Sequence, residues 1–191
     1  MNAFLYLLTA AVLQNFVLST GFGSSMSLRL SRRPSTLLSF GGLLAVFSLL
    51  SVAAVHPLDK LLAMQPLVKF FRPLLIITVV SVLYILLYAV LSIVKWHGLR
   101  RMLPTVAFNN VTVGILLIIN HQFTLPLITA LALSIGAVIG FTALSLLIGD
   151  LRRRLDHPDV PIAFRGLPLL LVCLGLLALG LMGFSSSVVL M

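Results

Sequence analysis

The side chains with the means to do chemistry are concentrated in two short stretches. One is LQNFVLSTGFGSSM, residues 13–26, where Gln14 and Asn15 precede Gly21, Gly23, Ser24 and Ser25. The other is MLPTVAFNNVTVGILLIIN, residues 102–120, with adjacent carboxamides at Asn109 and Asn110 and with Thr112 and Gly114 behind them. Both stretches are otherwise strongly apolar, and polar side chains in such surroundings are costly unless something satisfies them. Carboxamides and hydroxyls can satisfy freed backbone groups or line a small cavity. Together with Ser19, Thr20 and Thr105 they could also line a cation path. Ordinary hydrogen bonding between helices fits the spacing equally well.

Other chemistries find little footing. The four acidic residues, Asp59, Asp150, Asp156 and Asp159, all fall in loops, so no carboxylate stands in an apolar stretch as a proton relay or cation ligand. His56, His97, His121 and His157 are each alone, without metal-ligand spacing. Cys173 is the single cysteine, which excludes an internal disulfide and reads as a small buried hydrophobe. Gly21-x-Gly23 lacks the strand–helix context of a nucleotide loop. No catalytic residue and no metal ligand is assigned.

The elements that must position these residues follow from composition. Of 191 residues, 60% are hydrophobic and 9% charged, too few charges to solvate a globular surface, where about a quarter of residues are normally charged. Six stretches are apolar over a length that crosses a bilayer or nearly so: Ala3–Thr20, Thr36–Val55, Pro73–Val94, Pro104–Ile119, Pro126–Ile148 and Leu167–Phe184. They leave no room for a soluble domain, so residues 1–191 form one polytopic domain in the lipid bilayer.

The net charge of +9 is distributed by side. Arg29, Arg32 and Arg33 lie in the first loop, Lys95, Arg100 and Arg101 in the third, and Arg152, Arg153, Arg154 and Arg165 in the fifth. The other side keeps only Lys60, Lys69 and Arg72. This bias puts loops one, three and five in the cytoplasm and both termini outside, in a cytoplasmic (inner) membrane. No aromatic residues interleave the charges as a nucleic-acid site would need. Trp96 marks the cytoplasmic headgroup boundary, and Arg152–Arg154 anchor the end of the fifth span at lipid headgroups. The first segment, without a basic start or a cleavage site, is expected to be retained.

Two short matches recur after nearly the same offset, close to half the chain. Phe71-Arg72-Pro73-Leu74 is echoed by Phe164-Arg165-Gly166-Leu167, and Asn15-Phe16-Val17 by Asn109-Asn110-Val111. The expected fold is all-α, with six transmembrane helices in two inverted three-helix repeats, about 1–95 and 96–191. The first and fourth helices are expected to be broken near the midplane. Gly21 and Gly23 would end the first, Pro104 would open the fourth, and Gly114 would break it.

With these motifs in place, the chain resembles the paired membrane subunits of the Rnf complex and the sodium-pumping NADH:quinone oxidoreductase, on the RnfA/NqrE branch. The resemblance rests on Asn15-Phe16-Val17-Leu18 with Gly23, on Pro104 with Asn109 and Gly114, on Asp159-Val160-Pro161 before Phe164-Arg165-Gly166, and on Met182-Gly183-Phe184-Ser185. It implies an oppositely oriented homologous partner (RnfE/NqrD-like), flavin-carrying membrane subunits and a soluble electron-input subunit. It also implies a [2Fe–2S] cluster held by two cysteines from each of two such subunits, relaying electrons while sodium or protons move. Here the cluster positions fall on Ser25 and Asn110, so no cofactor is expected on this chain. The expected role is a non-catalytic subunit of such a complex. The alternatives are a stand-alone ion or solute transporter on the same scaffold, or an assembly scaffold.

Overall fold

In the computed structural model the chain is described over residues 7–13, 18, 23–31, 34–62, 68–121, 126–155, 161, 164 and 166–189. Every regular element among the described residues is helical. A π-helical turn, Thr9–Leu13, comes first, then the short α1 (Ser24–Leu30) and the long α2 (Pro34–Leu62) and α3 (Val68–Ile93). The pair α4 (His97–Ala107) and α5 (Asn110–His121) follows, and then α6 (Leu127–Leu155) and α7 (Leu167–Val189). Pro34–Leu58, Pro73–Ile93 and Leu127–Leu155 are long and apolar enough to cross a bilayer, and Leu167–Gly183 is a shorter apolar helix. The chain is a multi-pass membrane protein. Most of the expected first span lies outside the described residues.

The expected fourth span is two helices of 11 and 12 residues, separated at Phe108 and Asn109. Two details depart from the sequence reading. Pro104 does not open a helix; it lies inside α4 with its ring exposed, so the missing N–H is lost at the surface and not in the core. Gly114 breaks nothing, since α5 runs through it and buries it. The chain turns instead where polar side chains stand ready to close both helix ends.

Helix α6 is the hub, with 56% of its apolar window buried against 17% for α3. Its buried face alternates large residues with small ones: Phe141, Leu144 and Ile148 beside Ser134, Gly136, Ala137, Gly140 and Ser145. Lipid tails are as apolar as leucine, so close contact and hydrogen bonds, not escape from water, favour this packing. Helix α2 turns Leu37, Phe40, Leu44, Phe47, Ser51 and Val55 inward at three- and four-residue spacing. Its outward Leu38, Val46 and Leu50 are just as apolar, as a lipid-facing side requires. Phe40 and Phe141 meet with ring centroids 6.1 Å apart.

Two serine pairs tie the hub to its neighbours. Ser134 Oγ donates to Ser48 Oγ at 3.1 Å, and Ser48 Oγ in turn donates to the Ala45 carbonyl. Ser27 Oγ lies 2.8 Å from Ser145 Oγ, which donates to the Phe141 carbonyl, so Ser27 is the donor of that pair. Each such bond between membrane helices contributes about 0.6 kcal/mol.

The turn from α3 to α4 is a Schellman motif. Trp96 N–H donates to the Leu91 carbonyl and Lys95 N–H to the Ser92 carbonyl, both at 3.3 Å. Lys95 takes the left-handed position with φ 61°, a place where a side chain costs about 1 kcal/mol relative to glycine. Beside it the Arg100 guanidinium lies 4.8 Å over the Tyr88 ring and donates to Ser92 Oγ at 3.4 Å.

Two neighbouring glycines give a direct test of the packing. A Cβ on Gly41 would come within 2.5 Å of the Thr142 methyl, while one on Gly42 meets nothing within 4 Å. Thr142 is β-branched, and its hydroxyl is bonded to the Val138 carbonyl, so its methyl is held in place. Gly41→Ala is expected to destabilise the protein by about 1–3 kcal/mol, and Gly42→Ala to be neutral or stabilising by up to about 1 kcal/mol. Thermal unfolding in detergent measures both.

Candidate functional site

The break between α4 and α5 is closed by its own residues. Phe108 N–H donates to the Pro104 carbonyl at 3.2 Å and Asn109 N–H to the Val106 carbonyl at 3.4 Å. The same Val106 carbonyl accepts the buried Thr112 hydroxyl at 2.8 Å. Asn109 then caps α5: its Oδ1 accepts Val111 N–H at 3.3 Å, and its carbonyl accepts Val113 N–H at 3.2 Å. Asparagine is among the favoured residues for this position.

The orientation of the Asn109 amide follows from that bond. Turned round, its NH2 would face the Val111 N–H, donor against donor. Nδ2 therefore points the other way, buried and without a hydrogen-bond partner among the described residues. The whole residue is only 8% exposed.

The other wall comes from the start of α1. Gly23 has φ 78° and ψ 4°, and its carbonyl accepts Ser27 N–H at 2.8 Å. It is buried against Val111 and Phe141; a Cβ there would collide with the Val111 side chain and reach within 3.1 Å of the Phe141 ring. Glycine serves here for its left-handed φ and for its lack of bulk. This close approach brings the two helix starts to one cavity of about 240 Å³. Gly23, Ser24, Ser25 and Met26 line one side, and Thr105, Phe108, Asn109 and Asn110 the other.

Residues singled out in the sequence are thus partly gathered. Ser25 and Asn110, both exposed, line the same cavity, with Gly23 and Asn109 beside them. Thr112 is buried behind, holding the end of α4. Gly114 is in the interior of α5 and not in the lining. Gln14, Asn15 and Gly21 lie outside the described residues. Phe108 and Met26 carried no signal in the sequence beyond their position beside the polar residues. The Phe108 ring, half-exposed, meets Tyr84 of α3 in a tilted pair with centroids 5.5 Å apart.

Among the described residues, no charged side chain lines the cavity. Its donor set is hydroxyl and carboxamide, with no thiol; cluster iron takes thiolate sulfur, and neutral amides are poor ligands for it. Cys173 is half-buried on α7 and is not among the lining residues. These residues do not fit the iron–sulfur group that the resemblance implies. Ser24 also borders a second, apolar crevice of about 260 Å³ against Leu28, Ile148 and Leu171, Leu174, Gly175 and Ala178 of α7.

The polar closure of the break is open to measurement. Thr112→Val keeps the shape but leaves the Val106 carbonyl with only its longer bond from Asn109 N–H, and is expected to cost about 0.5–1.5 kcal/mol. Thermal unfolding checks it, with Asn110→Ala, at the exposed mouth, expected to change little.

Known proteins are similar to this sequence over nearly its whole length. Residues 3–188 match the family described as "Rnf-Nqr subunit, membrane protein". A protein of Syntrophotalea carbinolica, named as a subunit of an "Ion-translocating oxidoreductase complex", is 30% identical over 190 residues, covering 98% of each chain. The protein of the same name from Alkalilimnicola ehrlichii is 31% identical over 193 residues, and that from Glaesserella parasuis 29% over 189, each match covering 96% of both chains. By the extent of the family match, this chain belongs to the Rnf-Nqr family of membrane subunits.

Proposed function

We propose that the chain is an integral membrane subunit of an Rnf-type complex that couples electron transfer to sodium or proton translocation, and that it contributes no [2Fe–2S] ligands of its own. Family membership supports the first half, as do relatives whose names place them in an ion-translocating oxidoreductase complex. The observation that carries the second half is the cavity itself. Ser25 and Asn110, at the positions where the resemblance implies cysteines, line one space from two separate helix starts. A hydroxyl and a neutral carboxamide have the wrong chemistry for iron.

On this reading six spans in two inverted repeats put both termini outside, and an oppositely oriented homologue packs against the exposed mouth of the cavity. Flavin-carrying membrane subunits and a soluble electron-input subunit complete the complex, and electrons bypass the cavity. The positive-inside bias of the loops supports this orientation.

The decisive measurement is iron and acid-labile sulfide in the complex isolated from native membranes. No cluster attributable to this chain is expected, and stoichiometric cluster bound through it would refute the reading. In the opposite direction, Ser25→Cys with Asn110→Cys, co-produced with a cysteine-bearing partner, is expected to gain iron, sulfide and the visible absorption of an iron–sulfur centre. Purification as a homodimer without redox partners would instead favour a stand-alone transporter.

A further inference from the structure

We propose that the turn between α3 and α4 binds the phosphate of an anionic phospholipid, whose acyl chain lies along Tyr88 and Phe108. Three cations, Lys95, Arg100 and Arg101, lie at this turn, and among the described residues none has a carboxylate partner. Arg154 of α6 shows the contrast, since Asp150 holds it at 2.9 Å. Arg100 is the anchor. Its guanidinium is half-buried, lies 4.8 Å over the Tyr88 ring and gives one N–H to Ser92 Oγ. Both partners are neutral, so the group is held in place while its charge stays uncompensated. Its remaining N–H donors form a planar fork that matches two phosphate oxygens.

The other two cations are exposed on either side of it in the chain. Arg101 shares the open side of α4 with His97 and Pro104, while Leu103, Val106 and Ala107 are buried on the other. Lys95 keeps its φ of 61°, and His97 Nδ1 donates to its carbonyl at 2.7 Å. The turn thus carries a cation at a position where the backbone alone favours glycine. Beneath the cations the surface suits a hydrocarbon chain. Arg100 and Phe108 are about 12 Å apart along α4 at 1.5 Å per residue, and the hydrocarbon core starts about 5–7 Å below the outer edge of the headgroups. A phosphate at Arg100 therefore puts the half-exposed Phe108 ring at acyl depth, with Trp96 exposed at the boundary above. A zwitterionic lipid brings its own ammonium to offset its phosphate, so the unpaired cations select an anionic one.

Trp96 is the only tryptophan in the chain and adjoins Lys95, so its fluorescence reports on this turn. The full chain in detergent is titrated with phosphatidylglycerol brominated high on its acyl chains, and separately with phosphatidylcholine brominated in the same way. Phosphatidylglycerol is expected to quench Trp96 at a mole fraction about tenfold lower. Arg101→Gln is expected to reduce that preference about fivefold. Arg152→Gln with Arg153→Gln removes more charge, but from α6, and is expected to leave the preference unchanged. Lys95→Gly is expected to lower the preference while raising the thermal midpoint of the lipid-free protein, because glycine relieves the left-handed φ. Neither Lys95→Gly nor Arg101→Gln disturbs the packing of Arg100 on Tyr88, so lost binding in them is not lost folding.

Equal quenching by the two lipids overturns the proposal, as does a preference unchanged in Lys95→Gly and Arg101→Gln. A preference that falls as far in the α6 variant as in Arg101→Gln reduces the effect to net charge and overturns the site. Quenching reversed by inorganic phosphate at constant ionic strength assigns the cations to a free anion and overturns the lipid. The site requires only that the chain lies in a bilayer, so none of these outcomes bears on the iron content.

Discussion

Hydrocarbon offers a peptide group nothing to bond to, so any interruption of a helix in the membrane must supply its own hydrogen-bond partners. The interruption at Phe108 and Asn109 does so with two side chains. Thr112 reaches back to the Val106 carbonyl of the helix that ends, and Asn109 reaches forward to Val111 N–H of the helix that begins. Both bonds are buried, so each is held in a low-dielectric setting where an unmade bond would be expensive. The position of the cavity and its lining follow from where these closures can be made.

Around that break the architecture depends on thin contacts. Small residues on α6 admit neighbours closely: Gly136 lies under the Leu7 carbonyl and Ala10, and Gly149 beside the Ser31 carbonyl. Ser134 and Ser145 add specific bonds to α2 and α1. Dispersion between well-fitted surfaces is what distinguishes a protein neighbour from a lipid tail. Helix α3 is far less buried, yet its Tyr84 ring packs at a tilt against Phe108 and so braces the break from the other side.

Hydropathy made the membrane class and the long helices legible, and the paired carboxamides announced an interruption in the fourth span. Its register was hidden. Pro104 and Gly114 are the usual punctuation marks of helices, but a proline on an exposed side can be carried inside α4, and a buried glycine inside α5 serves packing. The capping chemistry of Asn109 was the better guide than either breaker. That Ser25 and Asn110 line one cavity came from the resemblance; two residues so far apart in sequence give no local sign of proximity. The central role of α6 was equally unreadable, because a helix that faces lipid on one side is apolar all round. Gln14, Asn15 and Gly21, which the sequence marks just as strongly, lie outside the described residues.

Gly23 gives the cavity a property that side chains cannot. At this point the start of α1 rests on Val111 and Phe141 with no space for even one carbon atom between them. The gap between Ser25 and Asn110 is therefore gauged by two helix starts in contact, as the jaws of a caliper are set by its frame. Rotating a serine or an amide alters what lines the opening without altering its width. Only a displacement of α1 relative to α5 can do that, and α1 is bolted to the hub helix through Ser27 and Ser145. The width of the opening is thus fixed by the fold, while its chemistry is left to the residues at its rim.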